Sequence, residues 1–195
     1  MMDEIKLVKK ALRTSMKICL DSVSQAEKEK ASLDVLSKLE KLDRWRGAEI
    51  VLAFLSMKDE LDTAPIIRRA IEQGKKVAVP RVDGSGMVFC QIADIVADTA
   101  PGAFGILEPV PGLPEIDIKT LSEHSSVALV PGLAFDRENF RLGRGKGFYD
   151  RFLASAGDSL YKIGICYSFQ LFERIPKELH DLKMDAVIIS GSSAS

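Results

Sequence analysis

The chain has few of the residues that build disulfide frameworks and zinc clusters. It contains three cysteines, Cys19, Cys90 and Cys166, and its two histidines are His124 and His180. The cysteines are odd in number and far apart, and no C-x-x-C motif occurs. This pattern argues against a disulfide framework and against a zinc cluster. It predicts three buried thiols in a reducing cytoplasm.

The chain also has no long apolar run and almost no net charge. No stretch of about 18 apolar residues occurs, and residues 1–13 have no apolar core of signal-peptide length. The 27 basic and 28 acidic residues leave a net charge of −1. No global field therefore attracts nucleic acid or an anionic membrane, and we expect neither as a partner. An anionic ligand must be bound by a local cluster of positive charge.

A length of 195 residues, 46% of them apolar, suits one hydrophobic core. We expect residues 1–195 to form a single domain, with residues 1–46 as an N-terminal helical hairpin packed on it. Apolar residues spaced by three and four predict a first helix over 3–20. A second helix, to about residue 42, begins with the capping-box pattern SQAE at 24–27. Residues 191–195 are expected to form a frayed tail.

After residue 47 the apolar pattern changes to short runs that are typical of buried strands. Strands are predicted over residues 49–55, 76–80, 87–92, 126–130, 162–166 and 185–189. Helices are predicted to begin at residues 62–65, after Gly147, and around residues 169–172. This alternation predicts an α/β fold: a single three-layer domain whose central, mostly parallel sheet is flanked by helices.

Three connections in this pattern directly follow apparent strands: residues 56–62, 81–86 and 131–150. In open α/β sheets, ligands bind beyond the carboxyl ends of the strands. We therefore expect these three connections to share one edge of the sheet and to form the binding site there.

The last connection contains the basic, glycine-rich segment RLGRGKGFYD at residues 141–150. Its three glycines alternate with basic residues: Arg141, Gly143, Arg144, Gly145, Lys146 and Gly147. Glycine lets the backbone approach an anion and turn its N–H groups inward, and the helix predicted to follow presents an N-terminus that favours phosphate. Asp150 suits this phosphate site only if a divalent cation intervenes, and Mg²⁺ prefers carboxylate and phosphate oxygens. The segment therefore favours ATP with Mg²⁺.

The residues alone leave other interpretations of this loop open. It is neither a P-loop nor a G-x-G-x-x-G motif, and a solvated basic loop has the same composition. A sugar-phosphate isomerase or an acyl-transfer enzyme on a similar sheet would also suit it. A non-catalytic RNA-binding module is disfavoured by the net charge and by the lack of a basic stripe with interleaved aromatic residues.

The string VPGLAFD…RLGRGKGFYDRFL resembles the signature of 5-formyltetrahydrofolate cyclo-ligases, also called 5,10-methenyltetrahydrofolate synthetases. Four further segments are similar to segments of that family: KKALR at 9–13, LSMKDELDT at 55–63, GILEP at 105–109 and HDLKMD at 180–185. These five ordered matches extend over nearly the whole chain. Phe148 stands where the family commonly has tyrosine, which keeps the aromatic face and removes a hydroxyl.

The resemblance implies an ATP-dependent ligase. In this family the ATP γ-phosphoryl group is transferred to the formyl oxygen of 5-formyltetrahydrofolate, giving an N5-iminium phosphate. N10 then attacks, yielding 5,10-methenyltetrahydrofolate, ADP and phosphate. Such a transfer needs in-line positioning and positive charge, for which the resemblance implies Lys146, Arg144 and Arg141. The protein is expected to be a cytoplasmic monomer or weak homo-oligomer that uses Mg²⁺ with ATP.

The resemblance also implies the binding residues. ATP is expected to contact Lys9, Lys10, Arg13, Arg141, Leu142, Gly143, Arg144, Gly145, Lys146, Gly147, Phe148 and Tyr149. The folate is expected to contact Leu55, Met57, Glu60, Arg144 and Phe148, with Glu60 accepting hydrogen bonds from the pterin ring. Asp150 and Asp181 are expected to hold Mg²⁺. From the residues alone, Lys9 and Arg13 share one helical face that is more often simply solvated, and Glu60 also suits a helix N-terminus.

Overall fold

A computed structural model describes residues 2–84, 86–102, 106–178 and 181–191. Its helices are α1 (Met2–Asp21), α2 (Gln25–Leu39), α3 (Asp43–Arg46), α4 (Ala64–Glu72), α5 (Ile118–Glu123) and α6 (Phe148–Ala156). Its strands are β1 (Ile50–Leu52), β2 (Lys76–Asp83), β3 (Gly86–Ile92), β4 (Thr99–Pro101), β5 (Leu107–Pro109), β6 (Glu115–Ile116), β7 (Ser126–Val130), β8 (Ala134–Asp136), β9 (Arg141–Leu142), β10 (Tyr161–Tyr167), β11 (Leu171–Phe172) and β12 (Ala186–Ser190).

The central sheet has seven strands in the order β12-β10-β7-β1-β2-β3-β6. The five strands from β12 to β2 are parallel to one another. Strand β3 runs antiparallel to β2 because a tight hairpin joins them, and β6 runs antiparallel to β3. This confirms the predicted α/β class with a mostly parallel sheet.

Two hydrophobic cores lie on opposite faces of the sheet. Neighbouring residues of β1 alternate between them, so that Val51 belongs to one core and Leu52 to the other. The first core contains Val35 of α2 and Ile66 of α4, whereas the second contains Leu153 of α6. Helices therefore cover both faces, which confirms the three-layer arrangement.

The N-terminal helices form as predicted, but the second is shorter. The capping box is present: the Ser24 N–H donates to Glu27 Oε2 at 2.9 Å, and the Glu27 N–H donates to Ser24 Oγ at 3.3 Å. Helix α2 ends at Leu39 and not near residue 42, because Leu42 is extended (φ −79°, ψ 129°) and starts the short helix α3. Gly47 ends α3, as expected for this region.

Two predicted elements are wrong in their extent or type. The strand predicted over 49–55 is limited to Ile50–Leu52, the residues that pair with β2 and β7 on either side. The helix predicted around 169–172 is a 3-10 turn, Ser168–Gln170, followed by β11. The Gln170 side chain ties this segment down: its Nε2 donates to the carbonyl oxygens of Gly132 at 2.8 Å and Leu133 at 3.1 Å. These contacts favour pairing of β11 with β8 over a longer helix.

All three cysteines are free thiols, as expected, but only Cys90 and Cys166 are buried. Cys19 is exposed near the end of α1, because the last turns of this helix turn Met16 and Leu20 inward and leave Cys19 on the solvent side. Within the described ranges, no helix has the length and apolar content needed to cross a membrane. The predicted frayed tail lies, apart from Gly191, outside the described residues, as do Gly105 and His180 of the family-like segments.

Candidate active site

Two of the three predicted connections meet at the carboxyl edge of the sheet. Residues 56–62 follow β1, residues 131–150 follow β7, and salt bridges join them. The connection at 81–86 is different, because most of it extends β2 and β3 into a hairpin. There Arg81 donates to Glu115 of β6 at 2.6 Å. The expected grouping is thus seen for the first and last connections.

A small second sheet, in the order β11-β8-β9, supports the start of the glycine-rich loop. The turn between β8 and β9 is organised by Asp136, which is 1% exposed. Its Oδ1 accepts the N–H groups of Glu138 at 3.0 Å and Phe140 at 2.9 Å, and its Oδ2 accepts that of Ile175 at 3.2 Å. The sequence reasoning missed Asp136, although an aspartate before a short polar turn is a known signal for such a turn.

Arg141 lies beneath the loop and is 8% exposed. Its Nη1 donates to the carbonyl oxygen of Pro131 at 2.9 Å, and its Nη2 forms a salt bridge with Asp150 Oδ1. A Cβ at Gly143 would lie 2.8 Å from Arg141 Nη1, so a glycine is needed there for the loop to pass over the guanidinium. The next residue of β9, Leu142, is 2% exposed and belongs to the core.

Helix α1 contacts the same loop through Arg13. The Arg13 Nε–H donates to the carbonyl oxygen of Gly143 at 2.9 Å. Gly145 has φ +98°, and a Cβ there would lie 3.4 Å from Arg13 Cζ. Lys10 is exposed, and within the described ranges its side chain forms no hydrogen bond or ion pair. Of these two residues, only Arg13 is hydrogen-bonded to the loop within the described ranges.

Lys9 is buried by contacts with the C-terminal segment. Its Nζ donates to Asp181 Oδ2 at 2.7 Å and to Glu178 Oε2 at 2.8 Å, and its side chain is 6% exposed. Burial alone would lower the pKa of Lys9. Hydrogen bonds to the two carboxylates, and their negative charges, outweigh that effect and raise its pKa above the ordinary value. Lys9 therefore stays charged and joins α1 to the predicted magnesium ligand Asp181. Glu178, its second partner, was not predicted.

The tip of the loop and the start of α6 present several predicted residues. Lys146 is exposed, and Gly147 has φ +69° as the residue before α6. The Arg151 guanidinium lies 5.2 Å from the centre of the Phe148 ring. The Tyr149 hydroxyl is buried and has no hydrogen-bond partner within the described ranges. Burial raises the pKa of Tyr149, so this hydroxyl remains protonated and can act as a donor.

Arg144 joins the glycine-rich loop to the predicted folate segment. Its Nη2 donates to Asp59 Oδ1 at 2.7 Å and to Glu60 Oε1 at 3.1 Å, and its Nε donates to Glu60 Oε1 at 3.2 Å. Asp59 was not predicted as a site residue, although it lies in the family-like segment 55–63. Leu55 is buried and Met57 is half-buried in that segment. The structure thus brings together Arg144, which is expected to contact both ATP and the folate, and Glu60, which is expected to contact the folate.

Glu60 is held in place by the backbone as well as by Arg144. Its Oε2 accepts the N–H of Met57 at 3.0 Å. Burial raises the pKa of Glu60, and the hydrogen bond from Met57 and the charge of Arg144 offset only part of that effect. The neighbouring charge of Asp59 raises this pKa further. Additional N–H donors would therefore stabilise the charged form of the Glu60 carboxylate.

The cavity beside Glu60 is small, about 10 Å³, and Leu61, Gly132 and Gln170 are among its lining residues. A larger cavity of about 350 Å³ lies at the opposite edge, where β7, β10 and β12 begin. It contains none of the predicted site residues, and Lys162 there pairs with Asp185 at 3.4 Å. We locate the site by the convergence of Arg144, Glu60 and the loop. The volume of each cavity depends on how tightly the side chains close over it. The larger volume at the opposite edge therefore does not by itself identify a binding site.

The two predicted magnesium ligands differ in how well they fit a metal. Within the described ranges, no group of three or more histidine, cysteine, aspartate or glutamate residues has a metal-binding arrangement. Mg²⁺ bound to ATP needs only one or two carboxylates, however. Asp150 is half-buried, and its Oδ2 accepts no hydrogen bond from the described residues, so it fits that role. Asp181 Oδ2 already accepts from Lys9 and from the Glu178 N–H at 2.7 Å.

Comparison with known proteins identifies the family. The model of the 5-formyltetrahydrofolate cyclo-ligase family matches residues 5–190. The 5-formyltetrahydrofolate cyclo-ligase of Mus musculus is 30% identical over 200 residues, covering 98% of either chain. A probable 5-formyltetrahydrofolate cyclo-ligase of Caenorhabditis elegans is 31% identical, covering 98% of this chain and 97% of that protein.

Solved structures agree with this family. The NMR structure of 5,10-methenyltetrahydrofolate synthetase from Aquifex aeolicus has a TM-score of 0.81 and 31% identity, over 95% of this chain and 91% of that one. A 5,10-methenyltetrahydrofolate synthetase from Mycoplasma pneumoniae, at 21% identity and a TM-score of 0.72, shares the fold. The chain therefore belongs to the 5-formyltetrahydrofolate cyclo-ligase family, a family of ligases.

Proposed function

We propose that this enzyme cyclises 5-formyltetrahydrofolate to 5,10-methenyltetrahydrofolate at the expense of ATP, through an N5-iminium phosphate, and releases ADP and phosphate. The observation that carries the proposal is the contact of Arg144 with Glu60 at 3.1 Å. Arg144 belongs to the anion-binding loop and Glu60 to the folate segment. Phosphoryl transfer requires the two substrates to meet, and this contact joins their binding residues.

The charges of the loop suit the phosphoryl group. Arg141 is buried and fixed by Pro131 and Asp150, so it supplies a stationary positive charge. Lys146 is exposed at the loop tip, where its flexible side chain can follow the γ-phosphoryl group. Arg144 extends from the loop to the folate segment, where it contacts Asp59 and Glu60, and is suited to bind the transferring oxygens. Arg13 holds the loop from α1 and adds a further positive charge.

The folate side of the site needs an acceptor and an apolar wall. Glu60 supplies the acceptor for the pterin N–H donors, and the half-buried Met57 and Phe148 supply apolar surface beside it. Pterin donors would replace the water that burial has removed from Glu60 and would stabilise its charged form. This makes Glu60 a natural binding partner for an N–H-rich ring.

Mg²⁺ would neutralise phosphate charge and hold the phosphate oxygens in place. Asp150 is the residue best suited to hold the metal ion. Asp181 would also bind the ion if Mg²⁺ replaced Lys9 as the partner of its carboxylate. We further propose a cytoplasmic location for a monomer or weak homo-oligomer. The three free thiols support a reducing compartment.

The proposal is tested with purified protein, ATP, Mg²⁺ and 5-formyltetrahydrofolate, with product formation followed by the absorbance of the methenyl compound. We expect product only when both ATP and a divalent cation are present. Matched reactions with EDTA, or with ATP omitted, serve as controls. Robust activity without ATP, or none from freshly purified folded protein, would refute the proposed function.

A further inference from the structure

Arg144, which joins the two halves of the site, contacts two carboxylates among the described residues, and Asp59 is the nearer. Its Oδ1 accepts from Arg144 Nη2 at 2.7 Å, whereas Glu60 Oε1 lies at 3.1 Å from the same nitrogen. The Asp59 side chain is 15% exposed and that of Glu60 is 14% exposed. Two adjacent, largely buried carboxylates therefore share one guanidinium.

The two carboxylates are not equivalent in their other contacts. Glu60 Oε2 also accepts the Met57 N–H at 3.0 Å, and Glu60 is the residue proposed to bind the pterin ring. Within the described ranges, the Asp59 side chain has Arg144 as its hydrogen-bond partner. A ring donor that approaches Glu60 competes with Arg144 for Oε1, which already accepts from Arg144 Nε and Nη2. Asp59 is then the anion that keeps Arg144 in place.

We propose that Asp59 is a positioning residue that holds Arg144 so that Glu60 is available to the folate substrate. This inference rests on the proposed function, since it takes Glu60 as the folate acceptor and Arg144 as the phosphoryl ligand. Without the Asp59 charge, Arg144 would pair fully with Glu60. Glu60 would then be less available to the ring, and the guanidinium would be drawn away from the bound nucleotide.

Asp59→Asn tests this role because it removes the charge and keeps the size of the side chain. We expect 5-formyltetrahydrofolate to bind on the order of fivefold to tenfold more weakly, as measured by isothermal titration with the full chain. Asp21→Asn is the matched control. It removes the same charge at an exposed position at the end of α1, and its folate affinity should equal that of the wild type.

The decisive readout is whether the effect depends on Glu60. In a Glu60→Gln background, Asp59→Asn should change folate affinity less than twofold, because the competition for the carboxylate is gone. A merely structural role would lower the melting temperature and weaken folate binding equally in both backgrounds. Should Asp59→Asn not fold, Asp59→Ser carries the same comparison.

The outcomes separate the inference from the function on which it rests. A wild-type protein that binds no 5-formyltetrahydrofolate would refute the proposed function and this role with it. Normal binding by the wild type together with unchanged affinity in the folded Asp59→Asn variant would refute the role of Asp59 alone. Equal losses in the wild-type and Glu60→Gln backgrounds would also refute it, since they would show that Asp59 does not act through Glu60.

Discussion

Lys146→Met removes a positive charge from the tip of the glycine-rich loop and keeps an unbranched side chain of similar length. Lys146 is exposed, and both of its sequence neighbours are glycine. Within the described part of the chain its side chain forms no ion pair, so the free energy of unfolding should change by no more than about 0.5 kcal/mol. The effect of the substitution should therefore fall on catalysis and not on folding.

The expected catalytic effect is large. A lysine that follows the γ-phosphoryl group acts mainly in the transition state, where charge spreads over the transferring oxygens. Its loss should raise the barrier on the order of 3 kcal/mol, which lowers kcat about a hundredfold or more. Folate affinity should change little, because Lys146 is not among the residues expected to contact the folate, whose proposed acceptor is Glu60.

The assay is the steady-state formation of the methenyl product at saturating ATP, together with the melting temperature of the ligand-free variant. Lys17→Met is the matched control, since it removes an exposed lysine of α1 that lies outside the predicted site. A near-normal kcat for Lys146→Met would show that Lys146 is only a solvated loop charge. The proposed phosphoryl-transfer geometry would then be wrong.

Three further predictions follow from the contacts of the site. Glu60→Gln should raise the KM for folate tenfold or more with little change in ATP binding, because an amide replaces a charged acceptor worth roughly 1.5–3 kcal/mol; an unchanged KM with lower stability would indicate a purely structural glutamate. Asp150→Asn should raise the Mg²⁺ concentration needed for half-maximal rate, and Asp181→Asn should do so less strongly, whereas unchanged Mg²⁺ dependence in both would assign them to structural salt bridges. Lys9→Met should lower the free energy of unfolding in urea by about 2 kcal/mol, because Asp181 and Glu178 would lose their cation; wild-type stability would contradict this.

Much of the sheet could be predicted from local pattern. The run Ser126–Val130 was predicted with its observed bounds, because a strand buried on both faces must be apolar throughout. The capping box at Ser24 was also readable, since it depends on residues only three apart. Such features are determined by neighbouring residues and need no knowledge of the tertiary structure.

The parts that could not be predicted depend on contacts between distant residues. Strands β9 and β11 have two residues each and exist because both pair with β8. Their local sequence carries no periodic signal of that length. The helix predicted around residues 169–172 failed for the same reason, because Gln170 bonds to carbonyl groups 37 and 38 residues away.

The candidate site was predicted as a set of residues but not as a set of pairs. Arg144 and Asp59 are 85 positions apart, and Lys9 and Asp181 are 172 apart. No spacing rule links residues at such distances, so the family resemblance implied a metal role for Asp181 without indicating its salt bridge to Lys9. Family resemblance implied the expected site residues, and the structure shows how they pair with one another and with Asp59 and Glu178.

In the proposed reaction, ATP transfers its γ-phosphoryl group to the formyl oxygen. The most direct test uses 5-formyltetrahydrofolate labelled with ¹⁸O in the formyl group, ATP and Mg²⁺, with the released phosphate examined by ³¹P NMR or mass spectrometry. Each phosphate formed with the methenyl product is expected to carry one ¹⁸O atom, because the formyl oxygen leaves bonded to phosphorus. Unlabelled phosphate, with the ¹⁸O recovered in water, would contradict it.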